Sequence, residues 1–367
     1  MILRRTSLVK FLFFLFLFLH AAPLIFNQNY QLITILNYSI VISLLIISSF
    51  SNKKMSLISI IYISLICISV GMSILGFSGS ISSLIMAASL PHFLFSTVNS
   101  KKDFLQLFYQ PIMLSSFLLI IFSAYLYTDV KGFLDSYSDL FYLGQYFVIA
   151  SINYVPLVFI SFGVVAYSVV RTKIEYLSNE RFDSLLFSLL LLLTIFYSSI
   201  FLTRSVFMSS LILLYAYLKK TRILLLLTIP IVVFYNIDII IPIFTNFFGA
   251  DNILDIVLPA DSVRTDSVRN LINSSLYHIF YNLDYSNQMS YSTLTNLLFS
   301  MFPLTFIFLY SPFNALIKIF KRREMSLFLV FLSSFTVVIF QMDFFSIFAF
   351  FFFAEYVKFF INEKYAS

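Results

Sequence analysis

Charge is scarce in this 367-residue chain: Asp, Glu, Lys and Arg make up 11% of it, against 60% hydrophobic residues. With a mean hydropathy of +0.96, that balance excludes a soluble globular domain, whose core could not hide so many Phe, Leu and Ile side chains. Cysteine occurs once, so no disulfide forms within the chain, and Cys67 in Ser64-Leu65-Ile66-Cys67-Ile68 reads as a small core side chain. His occurs three times. His20 and His92 lie in apolar runs with no second His or Cys at ligand spacing, so neither a metal site nor a cofactor is expected. Trp is absent, and that carries no functional reading. No soluble domain or nucleotide-binding cassette can be cut out, and nothing points to a nucleic-acid partner. The chain also lacks a repeat at the scale of half its length, which weakens a transporter built on repeated halves.

What fills the chain is a series of continuous apolar runs about twice the ~10 residues of a membrane strand, which excludes a transmembrane barrel. The expected fold class is an all-α polytopic membrane protein, with residues 1–367 forming a single integral membrane domain. About twelve transmembrane helices are expected, over roughly 8–26, 30–50, 55–76, 79–98, 104–127, 146–170, 184–202, 204–218, 223–241, 291–311, 325–341 and 343–358. The seventh and eighth meet so tightly at Thr203-Arg204 that one bent or re-entrant unit is the alternative. Arg4, Arg5 and Lys10 precede a first run long enough to be kept as a span rather than cleaved as a signal peptide.

Lys and Arg set the orientation, because cytoplasmic connections retain them. With both termini cytoplasmic, nineteen of the 23 basic residues fall on the inner side. Lys131, Arg204, Arg264 and Arg269 remain outside. The outer side then carries ten acidic residues and the inner side seven, of 17 in all. A net negative outer face does not steer an anionic substrate from solution. Any grip on phosphate there must be local, with the substrate arriving through lipid.

Two outer connections exceed hairpins. The smaller spans 128–145, with Asp129, Asp135, Asp139 and several Tyr. The larger, 236–290, lies between the ninth and tenth helices and is about fifty-five residues long, far beyond an ordinary connection. It holds Pro242, Pro259 and a tandem motif, Asp261-Ser262-Val263-Arg264 followed by Asp266-Ser267-Val268-Arg269. From Val268 the residues Leu271, Ile272, Leu276, Ile279, Phe280 and Leu283 share one face, which predicts an amphipathic interfacial helix near 266–283.

Arg residues stranded outside need a reason. Arg204, between two apolar runs, either snorkels to headgroups and outer Asp residues or forks a phosphate oxygen pair, which Arg suits better than Lys. Arg264 and Arg269 each follow an Asp by three residues, a spacing that allows ordinary helical ion pairs. On one continuous helix the two Arg point about 140° apart and cannot share a phosphate. If Asp266 instead caps a helix that starts there, Arg264 is free to fold back from the preceding loop. His278 falls off the apolar face and is the only outer-loop His. It is a general-base candidate, a solvated or cap-forming His being the other reading. The outer Asp residues compete for the base role. Glu355 and Asp343, at the ends of the last run, read as interface residues.

This pattern resembles the bacterial O-antigen polymerases of the Wzy type and, more distantly, the O-antigen ligases of the same superfamily. The resemblance covers the whole topology, including enlarged outer loops after the fifth and ninth spans. Arg204-Ser205, ahead of Val206-Phe207-Met208-Ser209-Ser210-Leu211, is similar to the Arg-Ser pair that opens an apolar span in that family. Arg269 in Asp266-Ser267-Val268-Arg269-Asn270 is similar to the family's Arg that opens a helix of the long loop, with Arg264 as a partner. His278 is the one position able to match the ligases' loop His. The chain departs from better-defined members in lacking a Trp after the loop Arg and a Gly-rich His-Pro segment.

The resemblance implies residence in the bacterial inner membrane, with the large loop in the periplasm. It also implies metal-independent glycosyl transfer from an undecaprenyl-pyrophosphate-linked oligosaccharide to a sugar hydroxyl of an incoming lipid-linked unit. Arg204, Arg264 and Arg269 would bind the pyrophosphate, Arg269 would also serve catalysis, and His278 or an outer Asp would be the catalytic base that takes the acceptor proton. Implied partners are membrane lipid, a chain-length regulator, and the flippase and ligase of the same pathway. A lipid-linked oligosaccharide flippase or other transporter is the rival, and it predicts charged residues inside the spans, of which the sequence has almost none. An acyltransferase is disfavoured because His20 and His92 supply no catalytic motif near a cytoplasmic donor.

Overall fold

Helix starts are written in the sequence as serine caps. Ser56 Oγ accepts from the backbone N–H of Ser59 at 3.1 Å, and Ser100 Oγ from that of Asp103 at 3.2 Å. The Asp103 carboxylate in turn accepts from the N–H of Asn99, so donors orphaned at a helix start are satisfied from both directions. The computed structural model of the protein describes residues 2–25, 30–49, 56–74, 79–112, 204–217, 305–340 and 344–363, with isolated positions between 114 and 195.

Every element among the described residues is helical. They are α1 (Ile2–Ile25), α2 (Tyr30–Ser49), α3 (Leu57–Ile74), α4 (Gly79–Ser96) and α5 (Lys101–Phe104). Helix α5 runs into a π-helical turn, Leu105–Tyr109. There follow α6 (Arg204–Tyr217), α7 (Thr305–Arg322), α8 (Met325–Phe340) and α9 (Phe344–Glu363). The all-α expectation therefore holds where the chain is described. Among the described residues, no helix is long and apolar enough to cross a membrane. The expected loops at 128–145 and 236–290, with the amphipathic helix near 266–283, lie outside the described residues.

Helix α9 is the hub. Residues Ile347 through Val357 are buried without a break, the signature of a helix apolar on every side. It packs on α4, α7 and α8, while α4 also carries α2 and α3, and α1 packs on α2 and the π-turn. Phenylalanine rings set the register. Phe13 meets Phe352 and Phe16 meets Phe348, so α1 runs antiparallel to α9. Phe104 meets Tyr356 and Phe108 meets Phe352, so the α5 segment also opposes α9. Ring pairs of this kind add about 0.5–1.5 kcal/mol each beyond the area they bury.

Helix α6 is held on α8 by a reciprocal clasp. Ser209 Oγ donates to the Ser333 carbonyl at 2.7 Å and Ser333 Oγ to the Ser209 carbonyl at 3.0 Å. Both serines are fully buried, and small hydroxyl residues of this kind let two backbones approach closely. Elsewhere hydroxyls bond back to carbonyls of their own helix, as Ser39, Ser43, Ser49 and Thr336 do four residues back. Each polar atom is thereby satisfied without leaving its helix.

Two sequence expectations are corrected. Cys67 is exposed rather than in the core, because it lies on the outer side of α3 while Tyr62 and Leu65 take the inward positions. The run expected to end at 311 belongs to a helix that continues through Arg322. Beyond 311, apolar and polar residues alternate at helical spacing instead of forming a loop. Lys321 and Arg322 then face the carbonyl end of α7, where cations are stabilised. The α7–α8 connection is a Schellman turn: Arg323 N–H bonds the Phe320 carbonyl and Glu324 N–H the Ile319 carbonyl. Arg323 has a φ of 53°, a left-handed conformation that costs a residue with a Cβ about 1–2 kcal/mol.

Phe352→Ala, which removes a ring contacting Phe13, Phe95, Phe108 and Phe348, is expected to cost about 3–5 kcal/mol in unfolding of the purified protein. Gly71→Ala should act in the opposite direction, by up to about 1 kcal/mol, because a Cβ there meets nothing within 4 Å.

Candidate functional site

Most of the residues marked by sequence lie outside the described residues: Arg264, Arg269 and His278 all do. Arg204 is the first residue of α6, five residues before Ser209, so about 7.5 Å of helix separates it from the serine clasp with α8. The expectation of an apolar helix from this Arg onward holds over the described residues 204–217.

The described residues bring together a different polar cluster where α3, α4, α7 and α9 meet. At its centre is Glu355, buried in α9. Ser311 of α7 donates to Glu355 Oε1 at 2.6 Å. Lys358, one turn on in α9, donates to the same oxygen at 2.7 Å and to Ser311 Oγ at 3.1 Å. Two helices are thus tied by a closed triangle of carboxylate, ammonium and hydroxyl. A carboxylate removed from water persists only with such partners.

Beside it, His92 Nε2 pairs with Ser59 Oγ at 3.1 Å, and Ser59 Oγ with the capping Ser56 at 2.8 Å. Tyr62 stands edge-on to the His92 ring and stacks on Phe308, with centroids 5.2 Å apart in each case. The Glu355 charge reaches both Tyr62 and His92. Pro91 precedes His92 inside α4 and removes one backbone donor from that turn. Further along α7, Lys318 has its pKa lowered, first by burial and then by the neighbouring Lys358 and Arg322 cations, with Glu355 opposing.

Glu355, which the sequence marked as sitting at the end of the last run, is buried with two partners, Ser311 and Lys358. His92, set aside for want of a second ligand, belongs to the same cluster. The available signal was the Glu355–Lys358 spacing of three at the end of a Phe-rich run, since ionisable groups in such runs pair with one another. Among the described residues, no three His, Cys, Asp or Glu side chains gather as a metal-holding group. What the cluster can do chemically is hold a carboxylate and an ammonium in register and couple α3, α4, α7 and α9 through hydroxyl and ring contacts.

Because the carboxylate and ammonium are only slightly exposed, Glu355→Ala should cost about 3 kcal/mol, at the lower edge for a broken buried pair. In the Glu355→Ala background, Lys358→Met should restore part of that loss. A double-mutant cycle on thermal unfolding reads the coupling, and additive effects would show that the two groups do not interact.

No protein-family model, curated protein or solved structure matches the chain.

Proposed function

We propose that the protein is an inner-membrane glycosyltransferase that polymerises undecaprenyl-pyrophosphate-linked oligosaccharide units into O-antigen or a related surface polysaccharide on the periplasmic face. The observation that carries this reading is the segregation of basic residues. Nineteen of 23 fall in one set of alternating connections, which leaves Lys131, Arg204, Arg264 and Arg269 on the acid-rich side. Arg204 there stands ahead of the apolar run of α6 that gives the polymerase resemblance.

The membrane assignment is supported by the surface of the helices. Phe11, Ile35, Leu57, Ile68, Phe306, Phe313 and Phe320 are all more than half exposed, an outer surface suited to acyl chains. Helices α3 and α4 are 18 residues each, or about 27 Å, just short of a ~30 Å bilayer core.

In the proposed mechanism Arg204, Arg264 and Arg269 neutralise charge developing on the leaving pyrophosphate as the anomeric carbon–oxygen bond breaks. His278, or an outer Asp, takes the proton of the acceptor hydroxyl that forms the new glycosidic bond. No nucleotide sugar is required, because the donor's activation resides in its lipid pyrophosphate.

One observation favours a second reading. The Glu355–Lys358 pair, with its carboxylate mostly buried and its ammonium half-buried, is the kind of paired charge within a helical bundle that a lipid-linked oligosaccharide flippase or other transporter uses. An O-antigen ligase differs from the polymerase only in its acceptor.

Arg204→Ala and Arg269→Ala are each expected to abolish glycan lengthening at unchanged protein level, read by gel profiling of the surface glycan. Normal chain lengths in both variants would falsify the mechanism. A deletion strain separates the alternatives: a single repeat unit on the lipid acceptor marks lost polymerisation, and complete absence marks lost flipping or ligation.

A further inference from the structure

We propose that the α7–α8 turn and the adjoining end of α9 form a seat for an anionic phospholipid, with its phosphate at Lys318, Lys321 and Arg322 and its acyl chain along α7. The proposal rests on the reading of the chain as a membrane protein.

Helix α7 has two opposed faces. Phe308, Ser311, Ala315 and Ile319 are buried against the rest of the bundle. Phe306, Tyr310, Phe313, Ile317 and Phe320 are all more than half exposed. Their spacing of four, three, four and three keeps them in one straight stripe. From Phe306 to Phe320 the stripe covers about 21 Å of helix, long enough for most of an acyl chain. It ends where the cations begin. At about 100° per residue, Lys321 lies about 60° from the centre of the stripe and Lys318 about 120°. Lys318 and Arg322 then continue round toward the side on which Ser311 meets Glu355.

Charge decides between possible occupants. Lys318, Lys321, Arg322, Arg323 and Lys358 gather here, and among described side chains their local carboxylates are Glu324 and Glu355. Lys318 feels Lys358 and Arg322 as repelling neighbours and Glu355 as an attracting one, so among the described side chains the cations outnumber the carboxylates they share. The turn itself is held in a conformation unfavourable for Arg323 by two backbone hydrogen bonds, which fixes the cations at the end of the stripe. A second copy of the chain would meet like charge at this end. An amphiphile with an anionic head matches both halves of the surface.

The test uses the full chain in a Cys67→Ser background, since Cys67 is exposed and would form disulfides of its own. The protein is placed in phosphatidylcholine nanodiscs, phosphatidylglycerol is titrated in, and bound lipid is counted by native mass spectrometry. The Lys318→Gln/Lys321→Gln/Arg322→Gln variant should bind at least about tenfold more weakly, given roughly fivefold for each cation near an anionic headgroup. Lys101→Gln/Lys102→Gln should leave binding unchanged. Equal binding by the triple variant overturns the proposal. Displacement of phosphatidylglycerol by sodium phosphate at equal concentration would indicate a free-phosphate site instead. Disulfide dimers formed through Phe313→Cys at any lipid composition would assign the stripe to a second copy. Failure of the wild-type chain to enter nanodiscs would sink the membrane reading itself, an outcome distinct from all of these.

Discussion

Continuous burial of Ile347 through Val357 in α9 is the constraint on which the described part of the fold depends. A helix enclosed on every side offers no polar face, so each neighbour must meet it with side chains of matching shape. Phe13, Phe95, Phe104 and Phe108 do so from three different segments. If the surroundings are lipid, apolar contact alone gives little preference for protein over acyl chain, and close fit together with interhelical hydrogen bonds must decide the arrangement. The Ser209–Ser333 clasp and the Ser311–Glu355–Lys358 triangle supply such bonds at two separate helix contacts.

The same logic explains where polarity is tolerated. Serine and threonine are scattered through the helices because most can return their hydroxyl to a carbonyl one turn back, at no cost to packing. Glu355 has no such option. Its carboxylate needs donors from elsewhere, and those it finds belong to α7 and to its own next turn. An ionisable residue placed there joins helices in a way that an alanine or leucine would not, and it does so beside His92 and Tyr62 rather than in isolation.

Much of this helical frame was legible in the sequence. Apolar runs at 8–26, 30–50, 55–76, 79–98, 325–341 and 343–358 coincide with α1–α4, α8 and α9 to within several residues, because helix length and uninterrupted hydrophobicity are local properties. Interior and exterior were not legible. Cys67 and Leu65 sit in the same apolar run, yet one is exposed and the other buried. When both faces of a helix are apolar, periodicity no longer points to the core. The partners of Glu355 were hidden for a related reason: its position near the end of a run says nothing of what packs on it, and only the approach of Ser311, 44 positions away, shows it buried. The apolar helix that follows Arg204 was readable from the run beginning at Val206. The grouping of Arg264, Arg269 and His278 depends on a loop conformation that spacing does not determine.

The π-helical turn at Leu105–Tyr109 bears on how this segment is to be read. Pro111 follows it, and a proline ring presses on the carbonyl four residues earlier; widening the preceding turn relieves that clash. Such a widening absorbs one additional residue, which rotates everything beyond it by about 100° relative to an ideal helix. A heptad or helical-wheel alignment carried across Tyr109 therefore assigns the wrong side to each later residue. The phase must be restarted at Gln110, as though two helices had been spliced end to end out of step.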